Sequence, residues 1–459
     1  YHTIRSEAVH EVLAFLLDYS PPPMRLIVAG RTGPPLPLPR LRAGGQLTEL
    51  GEKDLRFTLE EASEFFGHTM GLDLTGEDVA VLEDGTEGWI TGLQLAAHAL
   101  KGHENEARVL DTFSGSTRHV FDYLADEVLS RQPDDVEEFL LSTSIVETLS
   151  GSLCEALTEG KSGRQTLNRL ERDNLFLVPL DEDGRYYRYH HLFAAFLRER
   201  LGRVHPDAVS GLHSRAALWY EEDGCISGAV EHALGAEDFG WAADLIEEET
   251  CARRRYVDAS LLLRWLGTLP NGLLRGRPRL CVLYAWALVH SGALDDVEHR
   301  LRDAEVALMV DDEALTRGLS DEQRTMLGEI YIVRARMAAM QQDTRLTTEL
   351  SNRALELLPE DELHLRGDVA LDLGHAYSAA GDFDSAQDAF ARAAAFGRAA
   401  DDLRTTLFAL HYQAVLAISR GCLREAEGLL LDGQRLAEGQ PDGAPAVAGI
   451  ILTGLGDLH

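Results

Sequence analysis

The stretch Asp173–Leu201, DNLFLVPLDEDGRYYRYHHLFAAFLRERL, constrains the chain more than any other. Leu175–Pro179 is short and apolar, Asp181–Gly184 is a turn signal, and Arg185–Tyr189 is a return strand. Asp183-Gly184 is expected to supply the positive-φ positions of a tight hairpin. His190 and His191 then open a helix with Leu192, Phe193, Phe196, Leu197 and Leu201 on its apolar side. A hairpin that closes a run of helices reads as the wing of a winged helix.

Four helical segments are expected before that wing: His119–Ser130, Asp134–Thr143, Ser152–Thr158 and Arg164–Asp173. The last takes the recognition-helix position. Its Arg164, Arg169 and Arg172 are offset by Glu171 and Asp173, which argues against DNA contact by this module. The whole chain is acidic, with 43 basic and 76 acidic residues and a formal charge of −33. Nucleic acid and anionic membranes need the opposite field.

At 459 residues, two or more domains are expected. No apolar run is long enough to cross a bilayer, and no signal peptide is visible. Cys154, Cys225, Cys251, Cys281 and Cys422 are scattered and without a CxxC pair, which fits free thiols in a reducing cytoplasm. No cluster at metal-ligand spacing and no G-x-S-x-G elbow occurs, so neither a metal site nor catalytic residues are expected.

Residues 1–54 read as the C-terminal part of an α/β domain. Ser6–Tyr19 carries a helical stripe, Met24–Ala29 is a strand-like apolar run, and Leu47–Leu50 is a further short strand candidate. Arg31 follows the first strand candidate. Ligands of open α/β sheets sit at such strand ends. Arg31 is therefore either a phosphate-sensing cation or a solvated loop arginine. No G-x-x-x-x-G-K-[ST] is present, so a phosphate-binding loop would have to lie upstream. Both ends read as cut, as in an internal fragment.

Residues 55–108 read as a small helical lid. Thr58-x-x-Glu61 and Thr75-x-x-Asp78 are helix caps, Gly85 is expected to close the second helix, and Glu87–Ala97 begins a third. Gly88 and Gly92, four apart on one face, allow close approach of another backbone, for packing or for a nucleotide. His190 is likewise either a donor to a nucleotide phosphate or a histidine satisfied by a neighbouring carbonyl.

Residues 205–459 show only helical periodicity with glycine-marked turns. Leu371–Ala395 carries the small, large and aromatic positions of a tetratricopeptide repeat. Gly381 and Gly421 are 40 positions apart, and Leu373-Gly374 recurs as Leu455-Gly456, 82 positions on, suggesting a period near 41. Stacked repeats form a superhelical arm able to take a small-molecule inducer or a regulatory protein.

The ordered segments IVAGRTGPPLPLPRLRAGGQLTEL, LRFTLEEA, TEGWITGLQLAA, VFDYLADEVLSRQP and LNRLERDNLFLVPLDEDGRYYRYHHLFAAFLRERL resemble the MalT-like, LuxR-family ATP-dependent transcriptional regulators, which are large STAND-type NTPases. The resemblance is close over residues 1–205 and architectural beyond. It implies a mainly α chain: an NTPase remnant (1–54), a helical lid (55–108), a winged helix (109–204) and a TPR-like α-solenoid sensor arm (205–459). It implies a slow ATPase switch between a closed ADP state and an open, self-associated ATP state, with ATP/ADP and Mg in the intact protein and none in this stretch alone. DNA would be met by a helix-turn-helix outside it. Arg31 matches the sensor arginine of STAND enzymes. Gly92-Leu-Gln-Leu-Ala96 matches the lid segment whose proline touches adenine, and Gln94 stands in that place. Tyr189-His190-His191 matches the segment whose histidine holds the ADP β-phosphate, with His190 the matching residue and His191 in place of an aspartate. The alternative is a repeat scaffold with no working NTPase.

Overall fold

The computed structural model describes residues 6–19, 24–30, 34, 36–100, 121, 124–160, 162–173, 175–252, 258–308, 319–438 and 448–458. It is mainly α, with one three-stranded sheet, and divides into two compact units, Tyr1–Asp238 and Phe239–His459. No helix among the described residues is long and apolar enough to cross a membrane.

The first unit opens with α1 (Glu7–Tyr19), α2 (Leu38–Ala43) and α3 (Glu52–Leu55). Residues 24–30 are not a strand, and Ile27 is 92% exposed. Residues 47–50 are not a strand either. A strand is a pairing, and neither stretch finds a partner among the described residues, so apolar β-prone composition alone does not make one.

α4 (Leu59–Glu64) and α5 (Gly76–Thr86) start where the capping boxes place them. Thr58 Oγ1 accepts the Glu61 N–H and Glu61 Oε2 accepts the Thr58 N–H; Thr75 and Asp78 repeat the exchange. α4 runs on as a π-helical turn to Met70, and Gly71 stops it at φ +67°. α5 does not end at Gly85. It ends at Glu87 (φ +49°) and Gly88 (φ +69°), and α6 spans Ile90–Leu100. Ala62, Phe66, Val79, Leu82, Leu93 and Ala97 form the core of this small module.

Then come α7 (Asp134–Thr143), α8 (Gly151–Leu157), α9 (Gly163–Arg172), α10 (His191–Val204), α11 (Pro206–Glu222) and α12 (Ile226–Gly235). Of the helix expected over 119–130, Phe121 is α-helical, Leu124–Val128 winds as a π turn and Leu129–Arg131 as a 3₁₀ turn; 119, 120, 122 and 123 lie outside the described residues. β1 (Leu149–Ser150), β2 (Leu177–Pro179) and β3 (Tyr186–Tyr189) pair antiparallel in the order β1-β3-β2. Leu177 faces Tyr189 and Pro179 faces Tyr187, so the proline sits on an edge strand, where its missing N–H costs no ladder bond. Of the two turn residues expected at positive φ, only Gly184 takes it (+57°). The Asp181 carboxylate does the remaining work by accepting the Arg185 and Tyr186 N–H groups. Phe139, Leu167, Leu170, Tyr187, Phe193 and Leu197 lie in the winged-helix core.

The second unit is helical: α13 (Phe239–Ala252), α14 (Ala259–Thr268), α15 (Asn271–Arg275), α16 (Pro278–Ser291), α17 (Val297–Ala307), α18 (Asp321–Met340), α19 (Thr344–Leu357), α20 (Leu363–Ala379), α21 (Phe383–Ala399), α22 (Leu403–Ser419), α23 (Leu423–Glu438) and α24 (Gly449–Leu458). α20 and α22 begin 40 positions apart, as do α21 and α23. Gly381 and Gly421 turn the chain at φ +80° and +78°. The 82-residue recurrence is corrected by packing. Gly454, 80 positions after Gly374, lies against Leu430 and His411, whereas Gly456 has nothing near it. The period is 40.

Candidate functional site at the lid–wing joint

The turn between α5 and α6 meets the exit of the wing within the first unit. The Glu87 N–H bonds Asp84 O and the Gly88 N–H bonds Glu83 O, which closes α5 through two left-handed residues. Gly88 is required there, because a Cβ would lie 2.4 Å from Phe57 O, and Gly88 O accepts the Phe57 N–H at 2.9 Å. Gly92 does not admit another backbone. Its Cβ would meet Trp89 Cε3 at 2.8 Å and Thr86 Cγ2 at 3.2 Å.

On the wing side, His190 caps α10, and its N–H bonds Phe176 O at 2.8 Å. Phe176 holds φ +52°, an unusual setting for a bulky residue. Across the joint, His190 Nε2 stands 2.9 Å from Thr86 O. A carbonyl only accepts, so this bond places the proton on Nε2. His190 is 2% exposed and is flanked edge-on by Trp89 and Phe176.

Glu87 gathers the surrounding cations. Arg188 Nη1 donates to Oε1 at 2.8 Å and Nη2 to Oε2 at 2.9 Å, a two-pronged grip. Arg56 Nη1 donates to Oε2 at 3.0 Å and the His191 N–H to Oε1 at 3.0 Å. Burial works to raise the Glu87 carboxyl, but the Arg188 hydrogen bond, the neighbouring His190, the His191 N–H and the Arg188 charge outweigh it and hold it at about 2.

Of the residues singled out from the sequence, Gly92 and His190 meet at the Thr86–Trp89 turn, and both face protein. Gln94 is exposed on α6, and Arg31 lies outside the described residues. Thr86, Glu87, Arg56 and Arg188 were not foreseen. The available signals were a glutamate where a helix end favours glycine, and an arginine inside the aromatic run Tyr186–Tyr189.

A winged helix followed in sequence by tetratricopeptide-type repeats, with a buried histidine at the wing's exit, defines the class of protein. The MalT winged helix domain matches residues 125–209 and the MalT-like TPR region matches residues 328–459, so the chain carries a winged helix and a TPR region of the MalT type. It is 30% identical over 428 residues to the HTH-type transcriptional regulator MalT of Serratia proteamaculans, covering 93% of this chain and 47% of that protein. It is 34% identical over 313 residues to the serine/threonine-protein kinase PknK of Mycobacterium tuberculosis, covering 67% and 28%. The chain thus spans about half the length of its MalT relatives. A Pyrococcus horikoshii STAND protein with a tetratricopeptide repeat sensor aligns over 85% of this chain and 62% of its own, at 14% identity and TM-score 0.45, a likeness too loose to carry weight.

Proposed function

We propose that the chain is the signal-sensing central region of a MalT-type, LuxR-family ATP-dependent transcriptional activator. Its parts are an NTPase remnant over 1–54, a helical lid over 55–108, a winged helix over 109–204 and a sensor arm over 205–459. An inducer or regulatory protein on the arm shifts a closed ADP state toward an open ATP state that self-associates. DNA is met by a domain outside this stretch, consistent with the net charge of −33.

The observation that carries this reading is the His190–Thr86 bond. It ties the residue matching the phosphate-holding histidine to the lid segment. Arg31, His190, Gly92 and Gln94 are the nucleotide contacts of the intact protein. His190 can turn to a phosphate only when it leaves Thr86 O, so that contact belongs to another arrangement of the joint.

The test is His190→Ala in the complete natural protein, reading bound ADP after purification and basal transcription. Loss of ADP together with raised basal output is expected. Unchanged ADP retention and output would overturn the role. It would favour the scaffold reading, which draws on His190 being a buried histidine already satisfied by a carbonyl.

A further inference from the structure

We propose that Glu87 is the charged latch of this joint: its carboxylate, held by Arg188, Arg56 and the His191 N–H, keeps the α5–α6 turn on the wing, and its release frees His190 from Thr86. The proposal rests on the reading above that the joint opens.

The backbone gives the first reason. Glu87 sits at φ +49°, where a glutamate is strained and glycine is at ease. The bonds that end α5 there come from the backbone N–H groups of Glu87 and Gly88, and need no side chain. Glu159-Gly160, Glu237, Gln342 and Asp401 take the same left-handed setting, so what sets Glu87 apart is the company its carboxylate keeps. The same interface holds Phe176 at φ +52°, with its carbonyl on the His190 N–H. Two left-handed non-glycine residues, one from the lid turn and one from the wing, thus stand at the same joint.

The chemistry gives the second. Three donors from two segments converge on a carboxylate whose side chain is 10% exposed. Arg56 and Arg188 keep about a quarter of their side-chain surface in water, at 27% and 28%. When the contact parts, these guanidinium groups can be hydrated again, so the grip can be undone without stranding buried charge. Trp89 and Leu95 add apolar contact, packed against the winged-helix core while only partly buried.

The test is hydrogen–deuterium exchange on the 459-residue chain without nucleotide, comparing the native protein with Glu87→Gln and Glu87→Gly. Glu87→Gln keeps the shape and removes the charge. Glu87→Gly removes the charge and relieves the backbone, so a residue serving only as a helix cap would be improved by it. The latch predicts that peptides covering 84–93 and 186–193 exchange about tenfold faster in both variants, while 134–143 and 344–357 are unchanged. Arg188→Lys, which keeps charge but loses the fork, should fall between. Native or slower exchange in Glu87→Gly would overturn the proposal, as would acceleration spread equally over 344–357. The nucleotide reading fails separately, on the His190→Ala ADP measurement.

Discussion

His213 and His232 face each other Nδ1 to Nδ1 at 2.9 Å, between α11 and α12, with the Tyr220 ring stacked on His232. One nitrogen has to donate and the other accept, so the pair holds together only while at least one ring is neutral. Burial and the Arg198 charge push His213 below its ordinary value, and burial with His213 pushes His232 down to about 4. The unfolded chain takes up these protons first. Stability is therefore intact above about 6.5 and is lost as pH falls toward 4. NMR titration should find the His232 ring changing charge near 4; a midpoint above 6 would contradict the pairing.

Gly374 lies so close to Phe390 that a Cβ would meet the ring at 2.4 Å, and Phe390 is fully buried. Gly374→Ala should cost about 1–3 kcal/mol in urea unfolding. Gly456→Ala, with nothing within contact, should be neutral or slightly stabilising, because alanine favours a helix. Equal effects at both sites would refute the 40-residue register.

Arg334 bridges Glu298 and Glu305, donating to Glu305 at 2.6 and 3.0 Å and to Glu298 at 2.9 and 3.2 Å. Both acids stand on α17, two turns apart on one face. Burial lowers the Arg334 guanidinium's affinity for its proton, and the two carboxylates more than restore it. Arg334→Met should cost about 1–3 kcal/mol, since it leaves two acids without their shared cation. Arg334→Lys should recover little, because an ammonium cannot span both. Full recovery by lysine would mean that charge alone matters there.

The Glu87 carboxyl is held at about 2 in the folded chain against an ordinary 4.5. A depressed carboxyl stabilises fully above its unfolded value and loses that contribution as pH falls toward the folded one. The lid–wing joint should therefore stay protected from pH 7 to 5. Exchange over 186–193, corrected for the intrinsic pH effect, should be flat down to pH 5; a loss of protection between 7 and 5 would contradict this ionisation.

Much of this architecture is written locally, and the local parts were legible. Thr58 and Thr75 announce their helices through three-residue exchanges, and Gly381 and Gly421 mark turns by themselves. The wing was legible because Gly184 and Asp181 fix a hairpin from within. What depends on distant partners was not. The MRLIVA run has strand composition, yet pairing decides strands. Glu87 and Arg188 are 101 positions apart, and nothing in either neighbourhood names the other. His190 was singled out, but its partner, the Thr86 carbonyl, is backbone and leaves no mark on sequence. The turn glycines give the 40-residue period directly, whereas the Leu-Gly pair reads one residue too long because it recurs two positions beyond the glycine that packs.

β3 runs between β1 and β2, with Tyr187 paired on both sides, Tyr187 and Tyr189 turned into the core and Arg188 between them. Sliding this strand by one residue would drive the guanidinium inward and both phenols outward. That path is closed. Arg188 and His190, two residues apart at the exit of one registered strand, therefore keep their spacing in any arrangement that preserves the sheet.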